Sequence, residues 1–226
     1  GLDTLTWLMY EKELGRANYA LHWTGVARPS NILLAGTEEQ KEKYLFPCMK
    51  GEKWDCLAMT EPGAGSDLRG MTATARRDGG DWVLNGTKHF ISHADIAGFT
   101  IAFLATGEED TPRGRKKKIT AFFVDKGTKG FTVRDGYRNV SHRGYTNSVL
   151  EFDDCRIPAE NILGEVHKGF EVANDWLGAT RLQVASTSIG RAHRALEHAL
   201  SYAAERKQFG QQIGKFQGVS FKLADM

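Results

Sequence analysis

The sequence predicts an α+β fold, with helices at either end and a β domain between them. Three observations carry the prediction. Apolar residues recur at helical spacing up to about residue 54, short β-rich segments broken by Gly-rich or charged turns follow, and helical spacing returns beyond Gly169. Domain boundaries are accordingly expected at 1–54, 55–165 and 166–226.

In the opening segment Leu5, Leu8, Leu14 and Ala17 are spaced for one helix face. Thr37, with Gln40 three positions on, reads as a capping box that starts a second helix, and Gly51 as its stop. Strands are expected from Cys56 to Thr60, Asp81 to Leu84, Lys88 to Ser92, Phe99 to Ala105, Ile119 to Asp125, Gly130 to Val133 and Ser148 to Phe152. Asn85-Gly86 between two of them is a strong hairpin signal. Further on, Ile189, Ala192, Leu196, Ala199 and Ala203 step by three and four, which predicts a buried stripe on a long helix. Phe209-Gly210 interrupts that helix, and another starts near Gln217.

Composition excludes several classes of function. The 226 residues carry a net charge of +2, with basic and acidic residues interspersed, so nothing argues for a nucleic-acid partner. The one basic run, Arg113 to Lys118, sits between apolar segments and reads as a solvated hairpin loop. Cys48, Cys56 and Cys155 are odd in number without CxxC spacing, which points to reduced thiols in an intracellular protein and to no metal site. No apolar run approaches the roughly 20 residues of a membrane helix. The expected location is the cytoplasm, or an organelle matrix such as that of mitochondria.

The stretch Ala58-Met59-Thr60-Glu61-Pro62-Gly63-Ala64-Gly65-Ser66-Asp67-Leu68-Arg69-Gly70 says most about function. Its glycines let main-chain N–H groups approach a bulky ligand, and Thr60 and Ser66 add hydroxyls of adjustable direction. Position by position it resembles the first signature of the acyl-CoA dehydrogenases, flavoenzymes that desaturate acyl-CoA thioesters. Separated segments extend the resemblance over nearly the whole chain: Asn85-Gly86-Thr87-Lys88-His89-Phe90-Ile91-Ser92, Phe152-Asp153-Asp154 with Ile157-Pro158, Asn161-Ile162-Leu163-Gly164, and Glu205-Arg206-Lys207-Gln208-Phe209-Gly210 with Gln217. The fold so implied is the end of an N-terminal helical domain, a middle β-barrel and the start of a C-terminal four-helix bundle. The chain is then either a fragment of a longer polypeptide or a short member of the family.

The resemblance implies FAD as cofactor, an acyl-CoA as substrate, an electron-transferring flavoprotein as partner, and a homotetramer. Leu57, Met59, Thr60, Gly65, Ser66, Phe90, Ile91 and Ser92 would contact the cofactor, Phe90 standing for the frequent tryptophan and Ser92 for the frequent threonine near flavin N5. Arg206 would reach the FAD pyrophosphate of a neighbouring subunit, with Gln208, Phe209 and Gln217 nearby. Ser66, Thr180 and Arg181 match substrate contacts, and Gly178 departs from an acidic residue often found before that arginine. The loop Ser141 to Asn147 matches one that helps form the substrate site.

Removing an α proton from a thioester needs a positioned carboxylate in a site that shields the developing charge. Some relatives carry that base at the position of Thr180, where threonine cannot serve; Glu61 belongs to the loop's architecture. The resemblance therefore places the base downstream of Met226. On residues alone Phe90 reads as a core aromatic of a hairpin, His142 as a surface histidine, and Arg206 as a cation at a helix C-terminus. The alternatives are an oxygen-using acyl-CoA oxidase or flavin monooxygenase-like relative, and a non-catalytic CoA-binding or scaffold member of the fold.

Overall fold

The computed structural model describes residues 2–17, 29–112, 114–140 and 146–226. They form two units, residues 24–178 and residues 1–23 with 179–226. Helices, a sheet and helices follow in the order the sequence predicts.

In the larger unit the strands are β1 (Asp55–Ala58), β2 (Thr74–Asp78), β3 (Asp81–Ser92), β4 (Phe99–Thr111), β5 (Gly114–Asp125), β6 (Phe131–Tyr137), β7 (Asn147–Pro158) and β8 (Ile162–Leu163). They form one sheet in the order β6-β7-β3-β2-β4-β5-β8, with β1 parallel to β4. Strand period decides where each side chain goes, since alternate residues face opposite sides. Phe99, Ile101, Phe103, Ala121 and Phe123 join one apolar cluster, and Ala102, Leu104, Phe122 and Val124 join another across the sheet. With both faces covered, the first seven residues of β4 are all buried, which is why that segment reads as an unbroken apolar run.

The helical segment before the sheet packs on the first cluster. Its capping box forms as expected: the Gln40 backbone N–H donates to Thr37 Oγ1 at 3.3 Å and the Thr37 N–H to Gln40 Oε1 at 3.1 Å. Gly51, at φ 74°, follows its end. Within it lies a π turn, Lys41–Leu45, ahead of Pro47. Pro47 has no N–H for the Lys43 carbonyl, and Lys53 Nζ donates to that oxygen instead at 3.1 Å.

Several expectations need correction. Asn85-Gly86 is no hairpin: β3 runs through it, with a register shift at Leu84/Gly86. Gly86 adopts φ 134°, and a Cβ there would lie 2.5 Å from Ala73 Cβ, so the glycine serves a bulge pressed against a neighbour. The hairpin is Asp78-Gly79-Gly80-Asp81, turning from the unforeseen β2 into β3. Lys116, Lys117 and Lys118 are not in a loop; they pair in strand with Glu109, Glu108 and Gly107, while Arg113 lies outside the described residues.

In the other unit the first helix, Thr4–Gly15, buries Glu11 and Gly15, whereas Leu5 is exposed and Leu8 and Leu14 are half-buried. Its partner is the long helix Gly169–Glu205, whose residues beyond 178 belong to this unit. Glycines set that contact: a Cβ on Gly15 would lie 2.2 Å from Thr187 O, and one on Gly190 1.9 Å from Lys12 O. The apolar stripe expected on the long helix is only partly buried, because this contact runs along Thr187 and Gly190 instead; Ile189 and Ala192 are exposed, and only Ala203 of the five is fully buried. After Arg206 a two-stranded hairpin, Lys207–Gln208 with Gln211–Gln212, turns at Phe209 and Gly210, both at positive φ, before the helix Gln217–Asp225. Residues 18–28, where the opening helical reading continued, lie outside the described residues.

All three cysteines are buried and free. Among the described residues no group of His, Cys, Asp or Glu is placed to hold a metal ion, and no helix is long and apolar enough to cross a membrane.

Candidate functional site

Between β1 and β2 the chain makes an excursion. Ala58 pairs with Ala102 of β4, and Thr74 pairs with Ala105 on the same strand, so residues 59–73 leave and re-enter the sheet within a few positions of β4. This excursion is the Gly-rich stretch. It opens with a tight turn in which Glu61 N–H donates to Ala64 O at 2.9 Å and Ala64 N–H to Glu61 O at 3.1 Å.

A buried ion pair fixes the excursion to β3. Lys88 Nζ donates to Glu61 Oε1 at 2.8 Å and to the Met59 carbonyl at 3.0 Å. The next residue, His89, donates its backbone N–H to Thr60 O at 2.9 Å. Residues 59, 60 and 61 are thus each gripped by Lys88 or His89. Glu61 also accepts from the Thr72 N–H at 2.6 Å, from Thr72 Oγ1 at 2.9 Å and from the Ala73 N–H at 3.1 Å, tying the end of the excursion to its start. Burial pushes the Glu61 carboxyl up, but hydrogen bonds from Lys88 and Thr72 outweigh it and hold the group below the usual carboxylate range. Burial pulls Lys88 down, against its bond to Glu61. With its oxygens engaged in this way, Glu61 is a structural anchor.

Around Lys88 the strand is irregular, with a register shift between Lys88 and Ile91. Phe90 adopts φ 55°, a left-handed conformation strained for a bulky residue, and is 47% exposed. It is therefore not a core aromatic. Its ring lies 4.2 Å from those of His89 and Tyr137, and Tyr137 Oη is 3.0 Å from His89 Nδ1. Ile91 returns to the core at 2% exposure, and Ser92 Oγ accepts a hydrogen bond from Asn147 Nδ2 at 3.2 Å.

Of the residues singled out from sequence, Leu57, Met59, Thr60, Gly65, Ser66, Phe90, Ile91 and Ser92 all lie in the larger unit. The side chains of Leu57, Met59 and Ile91 pack into the apolar clusters, so what they can offer a ligand is backbone. Gly65 and Ser66 are exposed. Neither Gly63 nor Gly65 has positive φ, and a Cβ on either would meet nothing within 4 Å. Among the described residues no contact requires glycine there; both positions face open space, and the loop's backbone stands at the surface without side-chain cover. Arg206, Gln208, Phe209 and Gln217 belong to the other unit, as do Thr180 and Arg181. There Phe209 is 92% exposed, and Arg206, just past the end of the long helix, donates its backbone N–H to Tyr202 O at 2.8 Å. His142, with residues 141–145, lies outside the described residues.

Sequence reasoning passed over Lys88, Tyr137 and Asn147. Lys88 and Asn147 sat inside quoted segments, but Lys88 lies between Thr87 and His89 in a strand that also carries Asp81 and Asn85, so no local pattern marks it.

Known proteins resemble this chain throughout. The family model described as "Acyl-CoA dehydrogenase, middle domain" matches residues 56–155, and "Acyl-CoA dehydrogenase, C-terminal domain" matches residues 167–226. Subunit CarC of the caffeyl-CoA reductase-Etf complex of Acetobacterium woodii is 44% identical over 195 residues, 86% of this chain and 50% of its own length. The mitochondrial short-chain specific acyl-CoA dehydrogenase of Mus musculus is 38% identical over 100% of this chain and 55% of its own. The butyryl-CoA dehydrogenase structure of Megasphaera elsdenii superposes with a TM-score of 0.85 at 37% identity, covering 100% of this chain and 59% of the other. The chain spans about half the length of the curated relatives it matches.

Proposed function

The chain belongs to the acyl-CoA dehydrogenase family, and on that premise we propose that the protein interconverts an acyl-CoA and its 2-enoyl-CoA with FAD as the redox cofactor. The single observation that supports this most is the exposed glycine loop at Gly63 and Gly65, whose backbone is open to a ligand and whose start is pinned by the buried Glu61–Lys88 pair. FAD supplies the hydride-accepting ring when bound. Thr60 and Ser66 would offer it hydroxyls, Phe90 an apolar wall and Ser92 a further hydroxyl. Arg206, Gln208, Phe209 and Gln217 would hold its phosphate end, Arg206 across a subunit interface of a homotetramer. Ser66, Thr180 and Arg181 would meet the acyl-CoA.

Neither Thr180 nor Glu61 suits the proton-abstracting role, because a threonine hydroxyl is far too weak a base and the Glu61 oxygens already serve the fold. We place the base beyond Met226. An electron-transferring flavoprotein is the partner that fits, and the name of the Acetobacterium woodii relative favours a second reading in which the same site runs towards enoyl-CoA reduction.

The test is to titrate the full-length polypeptide with FAD and then mix the holoprotein anaerobically with short-chain acyl-CoAs. Yellow protein whose flavin bleaches on mixing is the expected result. Failure to bind FAD would sink the reading, steady turnover with oxygen alone would favour an oxidase, and bound FAD that no acyl-CoA reduces would favour a scaffold role.

A further inference from the structure

We propose that Asn147 is a positioning residue that aims the Ser92 hydroxyl at the flavin; this rests on the reading above, in which Ser92 faces the cofactor. Asn147 opens β7, opposite Ser92 in β3 and Tyr137 in β6. It is 8% exposed, and β6 crowds it: a Cβ on Gly136 would lie 1.7 Å from the Asn147 carbonyl oxygen.

Three contacts fix its side-chain amide. Nδ2 lies 3.2 Å from the Thr146 carbonyl oxygen and 3.2 Å from Ser92 Oγ, while Oδ1 accepts from Asn139 Nδ2 at 2.9 Å. A carbonyl oxygen can only accept, so the end of the amide facing Thr146 O must be its nitrogen. Ser92 Oγ faces the same nitrogen and is therefore an acceptor as well. A serine hydroxyl has one hydrogen. With an oxygen lone pair committed to Asn147, that hydrogen is kept off Asn147 Nδ2 and left for another acceptor, and among the described residues it donates to none. Asn147 thus turns a hydroxyl that could otherwise swing either way into a directed donor. Such a donor suits an acceptor atom on the oxidised flavin ring. Asn139 stands behind it, holding the amide from the other side.

The experiment is a double-mutant cycle in the full-length protein, read as the dissociation constant of oxidised FAD and as the flavin absorption spectrum. Ser92→Ala and Asn147→Ala should each weaken FAD by about threefold to tenfold, the loss of one directed hydrogen bond. Ser92→Ala with Asn147→Ala should be no weaker than Ser92→Ala alone, because Asn147 acts only through that hydroxyl. Asn147→Asp keeps the shape but replaces the donor with an acceptor that draws the serine hydrogen to itself, so it should weaken FAD at least as much. It also stands in if the alanine variant fails to fold. Additive losses would overturn the proposal, since a merely structural asparagine would still matter without the hydroxyl. So would a neutral Ser92→Ala in a protein that binds FAD, which leaves the cofactor reading intact; a wild type that binds no FAD overturns both.

Discussion

Lys88 Nζ lies 2.8 Å from Glu61 Oε1, and the two side chains are 0% and 2% exposed. Removing one partner of such a pair leaves the other charged in a place water does not reach, which typically costs about 3 to 5 kcal/mol. Lys88→Met should therefore destabilise strongly. Combined with Glu61→Gln, which is neutral and keeps an oxygen for the Thr72 and Ala73 N–H groups, it should recover much of the loss. Urea denaturation of both single variants and the double variant checks this. Equal losses in Lys88→Met and in the double variant would show that the charge left behind is not what the pair controls.

The bulge at Gly86 ranks two glycines. An alanine at 86 combines φ 134° with an approach of 2.5 Å to Ala73 Cβ, whereas one at Gly79 faces only φ 64° and open space. Strain and overpacking together put Gly86→Ala at about 2 kcal/mol or more, and backbone strain alone puts Gly79→Ala at about 1 to 2 kcal/mol. Thermal melts should preserve that order, and a reversal would mean that the backbone at Ala73 moves freely away from β3.

These glycines also show what the sequence could and could not convey. The Thr37 cap, Gly51 and the return to helix after Gly169 were legible because each depends on neighbours within a turn. Asn85-Gly86 misled because hairpin chemistry and bulge chemistry ask for the same left-handed glycine, and only the presence of Ala73, just before β2, separates them. The Gly-rich loop was legible as a motif, yet its anchor was not. The contact between Glu61 and Lys88 spans two strands and a loop, and local pattern carries no trace of it. On the first helix the apolar spacing at Leu5, Leu8 and Leu14 was real, while the contact surface was set by Gly15 and Gly190.

Asp55 should give the stability of the larger unit a distinctive pH dependence. Burial pushes its carboxyl up to about 6 from 3.8, against a backbone hydrogen bond from Ser30. Between those two values the folded chain holds a proton that the unfolded chain has released. Stability contributed at this site therefore falls as pH rises from about 4 to about 6 and stays low above it. Asp55→Asn cannot ionise and should flatten that slope, leaving the variant more stable than wild type at pH 7. Denaturation midpoints measured across pH 4 to 7 decide the matter, and parallel curves for the two proteins would show that Asp55 titrates normally.

Phe90 and Phe103 should separate packing from function. Phe103 is 2% exposed within the first apolar cluster, so Phe103→Ala should cost about 3 to 5 kcal/mol, as core aromatics do. Phe90 stands half exposed in a left-handed conformation, its ring resting on His89 and Tyr137. Phe90→Gly loses those ring contacts, worth about 0.5 to 1.5 kcal/mol, but relieves a backbone strain of similar size, so stability should change by no more than about 1 kcal/mol. If Phe90 walls the flavin, the same substitution should weaken FAD binding several-fold in the full-length protein. Tyr137→Ala, which withdraws the support from the Phe90 ring, should reproduce part of that loss. Paired measurements of denaturation midpoint and FAD dissociation constant make the comparison. A Phe90→Gly variant that loses stability like a core residue, or that binds FAD as wild type does, would remove Phe90 from the cofactor site.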